Sequence, residues 1–341
     1  MRIALLGGSF DPIHKGHLQI AKTAYKKMNI DEVWLMPCKD APLKDGQTVS
    51  FHHRCEMVKR AIAPYRHMKL CTLEGELEGT SYTIRTILEL KKRYPMHTFS
   101  FLIGDDQALQ FHKWKQADQL LKEVDFYVFS REEDAVLPKG MHRIQMDLIP
   151  VSSTDIRHGI NHWALPKSVK RYMGQHYLYI ESHVKQKMGE HRWNHSLSVA
   201  ALCKEIACAH HLDEQVAWNM GVAHDVCKQL SKAKSEIWMR HHMPDHLDEA
   251  CAIWHGYVGA DYAKTHLYIE DERVIQAIYH HVLGDGKSSY DIILYVADKL
   301  DPSRGYDSSE QIALCKQSLE KGFQRVKEEQ YAYLCKEGVI S

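Results

Sequence analysis

The chain carries no excess of either charge, no CxxC pair, no long repeat, no low-complexity linker and no apolar run of membrane-spanning length. Each absence removes a class. Lys and Arg number 44 against 44 Asp and Glu. No global basic field is therefore available to hold nucleic acid, and no acidic excess points to disorder. Small ligands are expected rather than nucleic acid or membrane. Nine cysteines show no ladder of even spacings, and the N-terminus has no signal-peptide pattern. Reduced thiols and a cytoplasmic location are the expectation. Composition leaves the oligomeric state open.

Histidine is abundant, at 24 of 341 residues. Imidazole is an acid and base near neutrality and the commonest nitrogen ligand for metals, so this surplus calls for a chemical reason. The length favours two domains. In the first, strand-like runs ("RIALLGG", "EVWLMP", "MKLCTLEGE", "HTFSFLIGDD", "VDFYVFSR") alternate with helical stretches such as "SFHHRCEMVKRAIAPY" and "SYTIRTILELKKRY". That order predicts a parallel sheet covered by helices. Beyond about residue 180 only helical periods remain, among them "HSLSVAALCKEIACAHH", "VAWNMGVAHDVCKQL" and "YDIILYVADKL". The expected division is residues 1–180, α/β, and 183–341, all-α.

The first strand runs into "GGSFDPIHKGH", residues 7–17. A strand, a Gly-rich turn and a helix N-terminus point backbone N–H groups and a positive dipole end outward. Gly7 and Gly8 are expected to let a phosphate approach, with Ser9 and Phe10 completing the turn. A second anion-binding piece is "VSSTDIRHG": Ser152, Ser153 and Thr154 offer hydroxyls at a helix cap, and Arg157 can fork onto phosphate oxygens. The first stretch resembles the signature G-G-[ST]-F-D-P-x-H-x-G-H of the nucleotidyltransferase superfamily. That resemblance implies a Rossmann-like fold and ATP with Mg2+ as cosubstrate. It also implies that His14, His17 and Arg157 stabilise charge that develops as the α-phosphate is transferred.

Three further stretches, "GTSYTIRT", "LIGDDQAL" and Lys113-Trp114, resemble bacterial nicotinate-mononucleotide adenylyltransferases over about residues 1–179. The resemblance implies that Trp114 stacks on the pyridine ring, that Tyr82 and Thr83 hold the nicotinate carboxylate, and that Gly104 and Asp106 serve the nucleotide. Stacking suits an electron-poor pyridinium on an indole face. In the family's P-P-H-K segment, Leu43 replaces His while Lys44 is kept, and Arg85 replaces the acidic residue of S-Y-T-x-D-T.

In the helical half, His195, His224-Asp225, His255, His281 and Asp298 form the ordered series H…HD…H…H…D. Neutral imidazole and carboxylate suit iron, manganese or zinc, and six such ligands can hold two ions. Successive residues on a helix diverge by about 100°, so only one of His280 and His281 should face the ions. The series resembles the HD-domain phosphohydrolases, and "HRWNHSLSV", "AHDVCK", "WHGYVGA" and "ADKLDPSRGY" resemble their symmetrical diadenosine-tetraphosphate hydrolases. His281 fits the family's A-I-x-x-H-T-x-G, with Val282 for Thr, and Asp301 stands where that family has Glu. The resemblance implies one ion on His195, His224, Asp225 and Asp298 and a second on His255 and His281, with Asp225 bridging and acting in catalysis. It implies iron first among the metals, with Lys228 and Arg304 as cations for the polyphosphate. The implied enzyme makes deamido-NAD from ATP and nicotinate mononucleotide and cleaves diadenosine tetraphosphate to two ADP. The alternative is an HD half that only senses a nucleotide.

Overall fold

A computed structural model describes residues 1–40, 49–130, 137–147 and 149–336. The chain divides into two compact units, Met1–Tyr172 and Met173–Ser341. The division lies earlier than the expected residue 180.

The first unit is a six-stranded sheet in the order β3-β2-β1-β4-β5-β6: β1 Arg2–Gly8, β2 Glu32–Pro37, β3 Met68–Leu70, β4 Thr98–Gly104, β5 Asp125–Ser130 and β6 Met141–Gln145. Every pairing is parallel. The helices between strands are α1 Lys15–Lys27, α2 Phe51–Ile62, α3 Leu73–Glu76, α4 Thr83–Arg93, α5 Asp105–Leu109 and α6 Ala117–Glu123, followed after β6 by α7 Ser153–Arg157 and α8 Lys167–Gln175. Continuous apolar runs such as Ile3–Leu6 are buried because helices cover both faces of a parallel sheet. The strand order reverses between β1 and β4, and the crevice beyond their carboxyl ends is where doubly wound sheets bind ligands. Both "GGSFDPIHKGH" and "GDD" begin there.

Two local expectations fail. "MKLCTLEGE" is strand only over Met68–Leu70, and its second half is the short helix α3. The edge strand β6 was not expected: in "MHRIQ" Ile144 alone is buried, so the apolar signal of an interior strand is missing.

The second unit is helical among the described residues: α9 Ile180–Lys185, α10 Glu190–Ala209, α11 Glu214–Ala223, α12 Lys232–His242, α13 Trp254–Thr265, α14 Glu272–His280, α15 Ser289–Leu300, α16 Ser309–Gln317 and α17 Leu319–Lys336. The helix α10 buries residues around its circumference, including Trp193, His195, Val199, Ala200, Cys203 and Ile206. It is the central helix, packed against α11 and α15. Close approach of α10 and α11 requires Gly221, because a Cβ there would lie 2.4 Å from Ala200 Cα. None of the described helices is long and apolar enough to cross a membrane.

Overpacking a buried helix contact costs typically 1–3 kcal/mol. Gly221→Val is therefore expected to lower the stability of the helical unit by roughly that amount or more. Thermal denaturation followed by circular dichroism checks it; an unchanged melting curve contradicts the close packing of α10 on α11.

Candidate active sites

In the first unit, His14 is the N-cap of α1 and His17 lies one turn into it. The His17 Nδ1 accepts from the His14 backbone N–H at 3.3 Å, and the two rings stack with centroids 3.8 Å apart. The ring of Phe10 meets His17 edge-on at 4.9 Å. Burial pushes the His14 imidazole down to about 4, so the ring is neutral at physiological pH. The glycines also have a packing reason. A Cβ on Gly7 would lie 2.8 Å from Phe101 Cζ, and one on Gly8 would lie 3.3 Å from Phe10 Cζ. Aromatic rings occupy the space their side chains lack.

The second anion motif is assembled on the first. Ser152 caps α7 by accepting from the Asp155 N–H at 3.0 Å. Ser153 Oγ donates to the Pro12 carbonyl at 2.9 Å, and Arg157 Nη1 donates to the Asp11 carbonyl at 2.7 Å while its Nη2 reaches Thr154 Oγ1 at 3.2 Å. Residues separated by about 140 positions in the chain thus share one surface at the end of β1.

On the acceptor side, Tyr82 is the N-cap of α4 and Thr83 its first residue. Lys115 Nζ sits 4.2 Å above the Tyr82 ring. Trp114 is half-buried and packs edge-on against Phe101 and Phe126, so part of its area belongs to the core. Gly104 is the N-cap of α5, where an added Cβ would meet nothing within 4 Å, and Asp106 is exposed on that helix. Lys44, like Leu43, lies outside the described residues.

Sequence reasoning missed Arg54. Its guanidinium is fully buried and donates to the carbonyls of Ser9 (2.8 Å), Cys38 (2.7 Å), Lys39 (3.2 Å) and Val49 (3.3 Å). One side chain thereby ties the phosphate-side turn to the end of β2. The available signal was an arginine on the apolar stripe of α2, in period with Val58 and Ala61.

In the second unit, His195 lies on α10, His255 on α13 and Asp298 on α15. His224 and His281 end α11 and α14, and Asp225 follows His224 directly. Three imidazoles are oriented alike: Nδ1 of His224, His255 and His281 bonds the carbonyl three residues earlier, of Gly221 (2.7 Å), Ala252 (2.8 Å) and Ile278 (2.6 Å). A carbonyl only accepts, so Nδ1 carries the proton and Nε2 of the neutral ring presents a lone pair. Those Nε2 atoms converge on Asp225. Its Oδ2 lies 3.5 Å from His224 and 3.8 Å from His195, and its Oδ1 lies 3.5 Å from His255 and 3.8 Å from His281. Asp298 Oδ1 lies 3.3 Å from His195 Nε2 and 3.8 Å from His224 Nε2.

Two triads have ligand atoms within 4.8 Å of one another: His195, His224 and Asp298, and His224, Asp225 and His281. The Nε2 atoms of His195 and His224 are buried without a hydrogen-bond partner. Lone pairs facing carboxylate oxygens in a buried site repel, and a cation between them removes the conflict. The donor set therefore fits metal ions. Burial opposes charge on Asp298, but the Lys299 ammonium beside it holds its carboxyl well below the ordinary carboxylate range. Burial, with the Lys228 charge beside it, brings His255 down to about 3.

Histidines outside the series have other partners. His280 bonds Asp285 at 2.8 Å, His210 bonds the Cys315 carbonyl at 2.7 Å, and His246 bonds Glu249 at 2.6 Å. Three functional positions were missed. Asp301 is fully buried and bonds His195 Nδ1 at 2.6 Å, an outer partner that orients the ring. Its only sequence signal was a carboxylate three residues beyond Asp298. Arg192 and Lys299 join Lys228 and Arg304 around a cavity of about 220 Å³ over the two carboxylates.

Residues 5–159 match the family model described as cytidylyltransferase-like, and residues 192–303 match the HD domain. A chain of Mycoplasma genitalium described as a probable nicotinate-nucleotide adenylyltransferase/Ap4A hydrolase is 28% identical over 341 residues, covering 94% of this chain and 95% of the relative. A probable nicotinate-nucleotide adenylyltransferase of Exiguobacterium sibiricum is 37% identical over 187 residues, covering 52% of this chain and 99% of the relative. Among solved structures, the nicotinic acid mononucleotide adenylyltransferase of Plasmodium falciparum complexed with NaAD aligns with a TM-score of 0.46 at 22% identity, over 52% of this chain and 97% of that one.

The buried neutral His14 makes stability depend on pH. Its folded value of about 4 lies below the ordinary 6.5, so between these values the unfolded chain binds the extra proton. Stability is unaffected by this group above pH 6.5 and is lost as pH falls from there toward 4. His14→Gln cannot titrate, and on acidification from neutrality to about pH 4.5 its first unit should lose about 2 kcal/mol less than the parent's. Urea titrations at the two pH values measure the difference; equal losses contradict the buried neutral ring.

Proposed function

This chain belongs to the nicotinate-nucleotide adenylyltransferase family and carries an HD domain, and on that premise we propose a bifunctional enzyme of nucleotide metabolism. The first unit transfers AMP from ATP to nicotinate mononucleotide, giving deamido-NAD and pyrophosphate. A phosphate oxygen of the mononucleotide forms a bond to the α-phosphorus of ATP. The bond from that phosphorus to the bridging oxygen breaks, and pyrophosphate leaves with the electron pair. Negative charge grows on the transferred group and on the departing pyrophosphate. On this reading His14, His17 and Arg157 supply donors to that charge, on ATP bound with Mg2+. The observation that carries this reading is the docking of α7 onto the Asp11-Pro12 backbone, which ties Arg157 to the segment that leads into His14. Trp114, Tyr82 and Thr83 receive the nicotinate end, and Lys44 retains the role that the family resemblance implies.

The second unit hydrolyses diadenosine tetraphosphate to two ADP. The supporting observation is the division of Asp225, with each oxygen facing a different pair of histidines. His195, His224, Asp225 and Asp298 would hold one ion, and His255 and His281, with Asp225, a second. Ions in such a set supply Lewis acidity for activating water at the scissile phosphorus. Asp301 fixes the His195 ring, and Lys228 and Arg304 hold phosphate oxygens. Mixed imidazole and carboxylate donors suit iron, manganese or zinc, and the family resemblance puts iron first. Free thiols at all nine cysteines accord with a cytoplasmic setting.

Two substitutions test the halves. His17→Ala is expected to lower kcat of adenylyl transfer by about 100-fold or more with a much smaller change in ATP binding. A rise in the Michaelis constant for ATP alone contradicts the transition-state role. Asp225→Ala should release metal, seen by elemental analysis, and abolish ADP formation from diadenosine tetraphosphate. Adenylyl transfer by the same variant should stay within about twofold, because the two chemistries lie on separately folded units. Loss of both activities in a folded variant points instead to a regulatory HD domain.

A further inference from the structure

The hydrolytic site shares a polypeptide with an activity whose product, deamido-NAD, is itself a dinucleotide joined by phosphates. A hydrolase in the second unit must spare that product, and the cations around its cavity provide the physical means. Arg192 Nη1 lies 2.8 Å from Asp225 Oδ2. Lys299 Nζ lies 2.8 Å from Asp298 Oδ2, and Arg304 Nη2 lies 2.9 Å from Asp298 Oδ1. Lys228 Nζ lies 3.0 Å from His255 Nε2. All four line the same cavity of about 220 Å³, which has Val282 as its apolar contribution.

That volume is smaller than the ~300–1,000 Å³ usual for a site enclosing a whole small ligand. A polyphosphate segment fits, and the nucleosides must lie outside it. Without an ion, the two carboxylates are the counter-charges of Arg192, Lys299 and Arg304. When Asp225 and Asp298 serve as metal ligands, the ions take up part of that negative charge, and an ion on His255 Nε2 takes the acceptor that Lys228 faces. The side-chain cations then require anionic oxygens from the substrate. A phosphate chain carries about one negative charge per phosphorus. A tetraphosphate can supply a partner for each cation, whereas the diphosphate of deamido-NAD leaves about half of them without one.

We propose that Arg192 and Lys299, together with Lys228 and Arg304, read the length of the phosphate chain, admitting tetraphosphate-bridged dinucleotides and rejecting diphosphate-bridged ones. The inference rests on the hydrolase reading above and adds two substrate-binding residues and a basis for specificity. Lys299 and Arg192 are 21% and 28% exposed, so replacing them does not open a core.

The test uses the full-length, metal-loaded chain as Arg192→Gln, Lys299→Gln and the double variant. Hydrolysis of diadenosine tetraphosphate, diadenosine diphosphate and deamido-NAD is compared, and metal content is measured on each preparation. The parent should prefer the tetraphosphate in kcat/KM by about 100-fold or more over either diphosphate, as expected of several charge-assisted contacts. Each single substitution should reduce that preference about tenfold, mainly through KM, and the double variant should nearly abolish it. Metal content should stay equal to the parent's. A preference that survives both substitutions overturns the inference and leaves the hydrolase reading intact. Loss of metal in step with activity also overturns it, because the cations would then serve only the ligand set. A metal-loaded parent inactive on every dinucleotide overturns the hydrolase reading and the inference together.

Discussion

Two carboxylates buried in a helical core set the terms for the second unit. Asp225 and Asp298 lie at the meeting of helix ends and helix faces, where an isolated charge would cost several kcal/mol. Compensation comes in two layers. The inner layer would be metal ions held jointly by the carboxylates and four histidine Nε2 lone pairs. The outer one contains Arg192, Lys299 and Arg304, while Asp301 orients His195 from behind. Removing any one layer leaves buried charge or buried lone pairs unanswered. The packing of α10 and α11 around Gly221 belongs to the same arrangement, because it sets how closely the elements bearing His195 and His224 approach.

The first unit meets a different constraint, the assembly of an anion site from backbone and short loops. Its solution is to let polar side chains hold backbone carbonyls. Arg157 and Ser153 hold the Asp11-Pro12 segment, and Arg54 holds Ser9 together with the end of β2. Strand order then determines where this clasp lies, at the reversal between β1 and β4. Aromatic rings fill the space beside Gly7 and Gly8, so the turn is shaped by core packing as much as by its ligand.

Joining these chemistries on one chain has a consequence for specificity. The transferase creates a phosphate-bridged dinucleotide, and the hydrolase cleaves phosphate bridges. On the proposed reading, charge matching in a small cavity separates the two, which differ in phosphate-chain length and charge as well as in one base. Coulombic selection of this kind is strongest where water is scarce.

The motifs legible in the one-dimensional chain were those in which residue type and spacing are chemically restrictive. "GGSFDPIHKGH", "VSSTDIRHG" and the H…HD…H…H…D series needed no fold to be seen; the helical period allowed only one of His280 and His281 to face the ions, and the family resemblance chose His281. Alternating strands and helices likewise implied the parallel sheet, because hydrophobic periodicity is local. What the tertiary structure decided was everything that depends on partners distant in sequence. Arg54 reads as an ordinary helix residue until three segments bring their carbonyls to it. Asp301 reads as a substitution until His195, more than a hundred residues earlier, turns its Nδ1 toward it. Arg192 and Lys299 look like solvated charges until α10 and α15 face one cavity. The edge strand β6 escaped for the related reason that one buried side chain leaves no periodic trace. A charged side chain has no intrinsic signature of burial; only the groups packed around it determine whether it is solvated, paired or poised for a ligand.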